Sequence, residues 1–204
     1  MNLSETLEIN DANEKRGHRQ TAWILVVCGV IGIFASIELI VQKIGVLSDP
    51  NFVPNCDINP ILSCGSVINT AQASLLGFPN PILGIIGFTI VVMFGVLLFA
   101  DVQIPNWVWL GLNVGSLVGM LFVVLLVSQS LYVIGALCPW CMVVWSITIP
   151  IFWQLTTDNL AAKRLSVGAS ASEIILTLKW ILVAGSYLII AGLIFIRWSD
   201  FWLK

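Results

Sequence analysis

Five stretches of this chain are long, apolar and almost free of charge, and its polar residues gather between them. The first covers residues 21–41, with Cys28 near its middle and Glu38 near its far end. The second covers 82–100 and is entered through Phe78-Pro79-Asn80-Pro81, where proline suits a first helical turn. A tight turn at 101–106 leads to the third run, 107–127. Ser128-Gln129-Ser130 reads as a short break before the fourth, 131–153, and the fifth starts near Ile174 or Trp180 and ends at Ile196. About twenty apolar residues cross the hydrocarbon of a bilayer as a helix, so each run predicts a membrane span. The first run exceeds a signal-peptide core and lacks a small-x-small site after it, which favours a retained helix.

Composition agrees with that pattern. Apolar residues make up 58% of the chain and charged residues 10%, too few to cover a soluble domain of 204 residues. The formal net charge of −2 and the lack of a basic stripe exclude a nucleic-acid binder. The reading is an all-α membrane protein: a four-helix bundle plus a fifth transmembrane helix. Five spans separate the termini. Lys15, Arg16, Arg19, Lys163, Arg164 and Lys179 would share one side, and Lys43, Arg197 and Lys204 the other. That bias puts the N-terminus in the cytoplasm and the C-terminus outside, in a multi-pass protein of the cell (inner) membrane. Trp23, Trp107, Trp109, Trp153, Trp180, Trp198 and Trp202 fall at the expected span ends, as an interfacial belt requires.

The domain reading follows. Residues 1–20 form a cytoplasmic segment, 21–153 a four-span bundle, 154–179 a cytoplasmic linker, and 180–204 the fifth span with an external C-terminus. Within the bundle, residues 42–81 form an external loop, irregular over 49–57 and with a short amphipathic helix over 66–76. Thr157-Asp158 is expected to cap a short surface helix ending near Lys163-Arg164. Gly111, Gly115 and Gly119 recur every four residues, a stripe expected to pack inside the bundle.

Candidate chemistry lies in the cysteines. Cys56 and Cys64 sit in the external loop, and Cys138-Pro139-Trp140-Cys141 lies in the fourth run, with Cys138 about 10 Å inside its outer end. Two thiol pairs on one oxidising side suit a relay by thiol–disulfide exchange, and helix N–H groups favour a thiolate. Static bridges are the alternative, and a zinc site fits the seven-residue gap of the first pair poorly. Cys28 reads as a small packed hydrophobe. Electrons leaving a membrane-embedded dithiol need a lipid-soluble acceptor, and no dinucleotide or haem-attachment motif is present, so a quinone fits. Trp140, Trp145, Met142 and Phe88 are candidate walls for it. Asn80 either hydrogen-bonds a quinone carbonyl or caps the second helix.

The block Cys56-Asp57-Ile58-Asn59-Pro60-Ile61-Leu62-Ser63-Cys64-Gly65, the later Gly77-Phe78-Pro79-Asn80-Pro81 and the Cys138-Pro139-Trp140-Cys141 motif resemble the vitamin K epoxide reductase family, above all its bacterial members that oxidise thioredoxin-like proteins. The resemblance covers roughly residues 22–153. It implies a four-helix bundle around a quinone (menaquinone or ubiquinone), no metal, and a membrane thiol oxidase supporting disulfide formation. It also implies residue roles. Cys138 and Cys141 would be the active-site pair, with Cys141 reacting with quinone and Cys138 exchanging with Cys64. Cys56 would meet the redox partner, expected as a separate thioredoxin-like (DsbA-like) protein outside. Asn80 would bind a quinone carbonyl, and Asp57 matches an acidic position of less defined role. Trp145 stands where vertebrate-type members carry tyrosine, so it is the candidate quinone contact there and weakens the alternative of epoxide reduction. A channel or scaffold with structural disulfides is the non-enzymatic alternative.

Overall fold

A computed structural model describes residues 3–49, 51–74, 77–165 and 168–199. Its helices are α1 (Leu3–Ser48), α2 (Cys64–Ile68), α3 (Asn80–Phe99), α4 (Asn106–Gln129), α5 (Pro139–Ala161), α6 (Ala169–Thr177) and α7 (Lys179–Arg197). Among the described residues, five helices are long and apolar enough to cross a membrane: Arg16–Ser48, Asn80–Phe99, Asn106–Ile134, Pro139–Ala161 and Lys179–Arg197. No sheet forms there; an isolated parallel bridge pairs Leu62 with Leu137. The protein is an all-α, multi-pass membrane protein.

Local chemistry sets the helix ends. α3 stops in a Schellman turn: Val102 N–H bonds the Leu97 carbonyl, Asp101 N–H bonds Leu98, and Asp101 takes a left-handed φ of 53°. α5 ends the same way, with Lys163 at φ 53° and Arg164 N–H on the Asn159 carbonyl. α5 therefore runs to Ala161, well past the expected 153. Thr157 and Asp158 are consequently not a cap. Thr157 bonds back to the Trp153 and Gln154 carbonyls, and Asp158 accepts from Thr21 at 2.7 Å. Gln154 donates to Thr21 and accepts from Lys179, lashing α1, α5 and the start of α7 together. The longer α5 also places Trp153 inside the helix, where its Nε1 donates to Ser186 of α7. Trp202 and Lys204 lie outside the described residues.

The expected break at Ser128-Gln129-Ser130 is helical. Ser128 satisfies its hydroxyl on the Leu125 carbonyl, and the chain continues into a π turn, Ser130–Ile134. The break comes at Gly135, whose φ of 71° turns the backbone out of the helix, and α5 restarts with Pro139 in its first turn. Cys138 is thus the N-cap of α5, not a residue about 10 Å along a span.

α1 packs chiefly on α3 and α5, and α4 on α5. Close approach of α1 and α3 depends on glycines that the every-fourth pattern did not reveal. A methyl group at Gly32 would meet the Phe88 ring, and one at Gly95 would lie 3.0 Å from the Val26 nitrogen and 3.1 Å from the Ala22 carbonyl oxygen. The Gly111/Gly115 stripe instead has open space, and Gly119 alone of the three meets a neighbour, Thr148. Helical spacing defines a face, not the partner that covers it. Gly95→Ala pushes on backbone that cannot yield, so it is expected to cost about 1–3 kcal/mol, read as a lower unfolding midpoint in detergent. Gly115→Ala, which has open space around it, should not lower that midpoint.

Candidate functional site

The loop between α1 and α3 folds onto the start of α5. Ser63 caps α2 by accepting from Ser66 N–H, so Cys64 is the first helical residue. The expected helix over 66–76 is instead α2 followed by a 3-10 turn, Ala71–Ser74; Leu75 and Leu76 lie outside the described residues. Lys43 donates to the Ile68 carbonyl at 2.7 Å, closing the other end of α2. Gln42, almost fully buried, accepts from Asn55 N–H. These two residues lie beyond the expected end of the first span, because α1 continues to Ser48 as a post for the loop.

A short backbone clasp brings the cysteine pairs together. Leu137 N–H bonds the Ile61 carbonyl at 2.7 Å, and Ser63 N–H bonds the Leu137 carbonyl at 2.9 Å. In this register Cys64 follows one strand of the bridge and Cys138 the other. Cys56 and Cys64 form a disulfide with Cα atoms 5.6 Å apart. The Cys64 sulfur lies 3.2 Å from that of Cys138, and Cys138 and Cys141 are free thiols. Cys56, Cys64 and Cys138 are buried with Leu39 and Ile68, and Trp140 and Cys141 pack against them. Trp140 also meets Phe34 of α1 edge-on. Cys28, part-buried among the α1, α3 and α5 core residues, is apart from this set.

Cys64 has no hydrogen in its disulfide, so the contact is either the Cys138 S–H pointing at Cys64 or a thiolate already against a disulfide sulfur. The Cys141 thiol, hydrogen-bonding to Cys138, holds the Cys138 thiol below the ordinary cysteine range. Burial opposes this, the N–H groups of Cys141 and Trp140 add to it, and the Asp57 charge opposes it. Asp57 is also structural: its Oδ1 accepts from Gly65 N–H at 2.9 Å, and a methyl on Gly65 would strike its other oxygen. Gly65 is a residue the sequence reading left without a role. Asp57→Asn keeps an acceptor for Gly65 and removes the charge. It is expected to lower the Cys138 pKa further, so thiolate forms at lower pH. Ultraviolet thiolate titration of a variant lacking Cys28, Cys56 and Cys64 checks this; an upward shift would contradict it.

Cys141 faces a second apolar cluster too, around Trp145, Val123, Val127, Leu131 and Leu137. Trp145 is 3% exposed, and its indole N–H has no partner among the described residues. Burying such a donor unsatisfied costs about 1–3 kcal/mol, so it marks the place of an acceptor one turn from Cys141. A quinone carbonyl fits that requirement. Asn80 is buried at the start of α3, but it does not cap that helix; its Nδ2 donates to the Gln72 carbonyl at 2.7 Å, tying the loop to α3. Of the other candidate walls, Met142 borders the Trp145 cluster, while Phe88 is spent on α1–α3 packing. Among the described residues, no group of three or more His, Cys, Asp or Glu could hold a metal ion.

The family model described as Vitamin K epoxide reductase family matches residues 23–156, more than half of the 204 residues. A search of curated proteins finds no match. The chain belongs to the vitamin K epoxide reductase family. It is an enzyme, a quinone-linked thiol–disulfide oxidoreductase with a redox partner, and the channel or scaffold reading falls away.

Proposed function

We propose, with that membership as premise, that the protein is a thiol oxidase: it takes two electrons from a reduced thioredoxin-like (DsbA-like) protein outside the cytoplasm and delivers them to membrane menaquinone or ubiquinone. The observation that carries this reading is the run of sulfurs, Cys56 bonded to Cys64, Cys64 at 3.2 Å from Cys138, and Cys141 packed against the same buried cluster. The N-terminus is cytoplasmic in this reading, because Arg16, Arg19, Lys163, Arg164 and Lys179 lie at the ends of their spans remote from the paired cysteines.

The partner's thiolate attacks the Cys56 sulfur, breaking the Cys56–Cys64 bond with the electron pair leaving on Cys64. The partner's second thiol then releases Cys56 and leaves with its own disulfide. Cys64 attacks Cys138 of the inner disulfide, and Cys141 departs as the thiolate. Cys56 attacks Cys64, restoring the outer bridge and freeing Cys138. Two electrons now rest on Cys138 and Cys141, which is the arrangement described above. A bound quinone supplies the two-electron sink that lets the inner disulfide re-form. Trp145 N–H and Asn80 would hold its carbonyls, Cys141 would be the thiol that hands electrons to it, and the apolar clusters would exclude water.

The test combines purified protein, a reduced thioredoxin-like partner and ubiquinone or menaquinone, with quinol formation followed by absorbance. No partner-dependent quinol would refute the reading. Within that assay Trp145→Phe and Trp145→Tyr differ by one hydroxyl. If a donor here holds the quinone, the tyrosine variant should have a quinone KM about 3- to 10-fold lower than the phenylalanine variant, from about 0.5–1.5 kcal/mol for one hydrogen bond. Equal KM values would remove Trp145 from the site.

A further inference from the structure

The family match ends at residue 156, yet α7, which lies beyond it, closes on the redox mouth. Ile190, Leu193, Ile194 and Trp198 pack against the cluster of Trp145 and Leu137 that Cys141 also borders. α7 further supplies donors to two main-chain carbonyls that the bundle leaves open. Pro150 has no N–H for the Ser146 carbonyl one turn before it, and the Tyr187 hydroxyl of α7 donates to that oxygen at 2.5 Å. The Leu131 carbonyl lies in the last turn before Gly135 leaves the helix, where carbonyls lack helical partners, and Arg197 Nε donates to it at 2.8 Å.

The second of these contacts sits at the base of the segment that carries Cys138. The Leu131 side chain is fully buried, so its backbone is held from the protein side as well as by Arg197. From there the chain passes through the π turn to Leu137, whose clasp with Ile61 and Ser63 sets Cys138 against Cys64. A cation at this end of α4 is also favoured by the helix dipole. Slack at Leu131 would be passed along a short, otherwise irregular segment to Cys138, the sulfur that Cys64 attacks.

We propose that Arg197 is a positioning residue for electron passage between the two cysteine pairs, acting through the Leu131 carbonyl, so that the fifth helix is part of the redox machinery. The step it serves forms the Cys64–Cys138 bond as the Cys138–Cys141 bond breaks, with the electron pair leaving on Cys141. This rests on the exchange reading above.

The experiment uses full-length protein carrying Cys28→Ser, Cys56→Ser and Cys141→Ser, which retains Cys64 and Cys138. Equilibration in glutathione redox buffers gives the bridged fraction and hence the effective molarity of the two thiols. Arg197→Gln should lower that value about tenfold, and Arg197→Lys, which keeps a charged donor, only about threefold. Gly95→Ala, which weakens the bundle elsewhere, should lower the melting point and leave the effective molarity unchanged. An unchanged value in Arg197→Gln overturns the proposal; if that variant does not fold, an unchanged value in Arg197→Lys does so. Failure of Cys64 and Cys138 to bridge with Arg197 intact would instead refute the exchange reading itself.

Discussion

Replacing Cys141 with serine is expected to abolish partner-driven quinol formation, by at least about a thousandfold, and to accumulate a Cys64–Cys138 bridge. The reason is positional. Cys141 borders both apolar clusters, the one holding Cys56, Cys64 and Cys138 and the one holding the unpartnered Trp145 N–H. It is the sulfur that joins the outer relay to the place where an acceptor is needed. Without it, the Cys138 thiolate can still attack Cys64 of the outer disulfide, with Cys56 leaving as the thiolate, but no second inner thiol remains to carry the electrons onward. Quinol absorbance measures the first effect, and mass spectrometry of peptides kept unreduced measures the second. Full quinone reduction by Cys141→Ser would sink the assignment.

The same residues show how far the sequence could be read. Spans are legible because a bilayer demands long uncharged runs, and the four paired cysteines because thiols have few other uses at such spacing. The break between α4 and α5 was misplaced for a physical reason. Ser128-Gln129-Ser130 looks polar enough to interrupt a span, yet a serine hydroxyl in a helix turns back on its own carbonyls, as Ser128 does on Leu125. The real stop is Gly135, embedded in an apolar stretch that looks helical. Contacts between distant segments left still weaker signals. Nothing periodic connects Asp57 with Gly65, Gln42 with Asn55, or Arg197 with Leu131, and those bonds aim the sulfurs. The clustered cysteines were therefore easier to find than the residues that place them.

Cys56→Ser is expected to separate the two ends of the relay. Turnover with the thioredoxin-like partner should fall at least about a hundredfold, and turnover with dithiothreitol less than about tenfold. The argument rests on access. Cys56 keeps 6% of its surface, whereas Cys64 and Cys138 keep none, so a protein thiolate reaching the outer disulfide has Cys56 as its point of entry. Attack there sends Cys64 away as the leaving thiolate, already beside Cys138. A small dithiol has no docking surface to satisfy, and its thiolate can attack Cys64 of the Cys64–Cys138 bridge in place of Cys56, freeing Cys138 and leaving as its own disulfide. Parallel rates of quinol formation with the two reductants measure this split. Equal losses would mean that Cys56 serves the bridge between the pairs rather than the partner, and would move the entry point elsewhere in the loop.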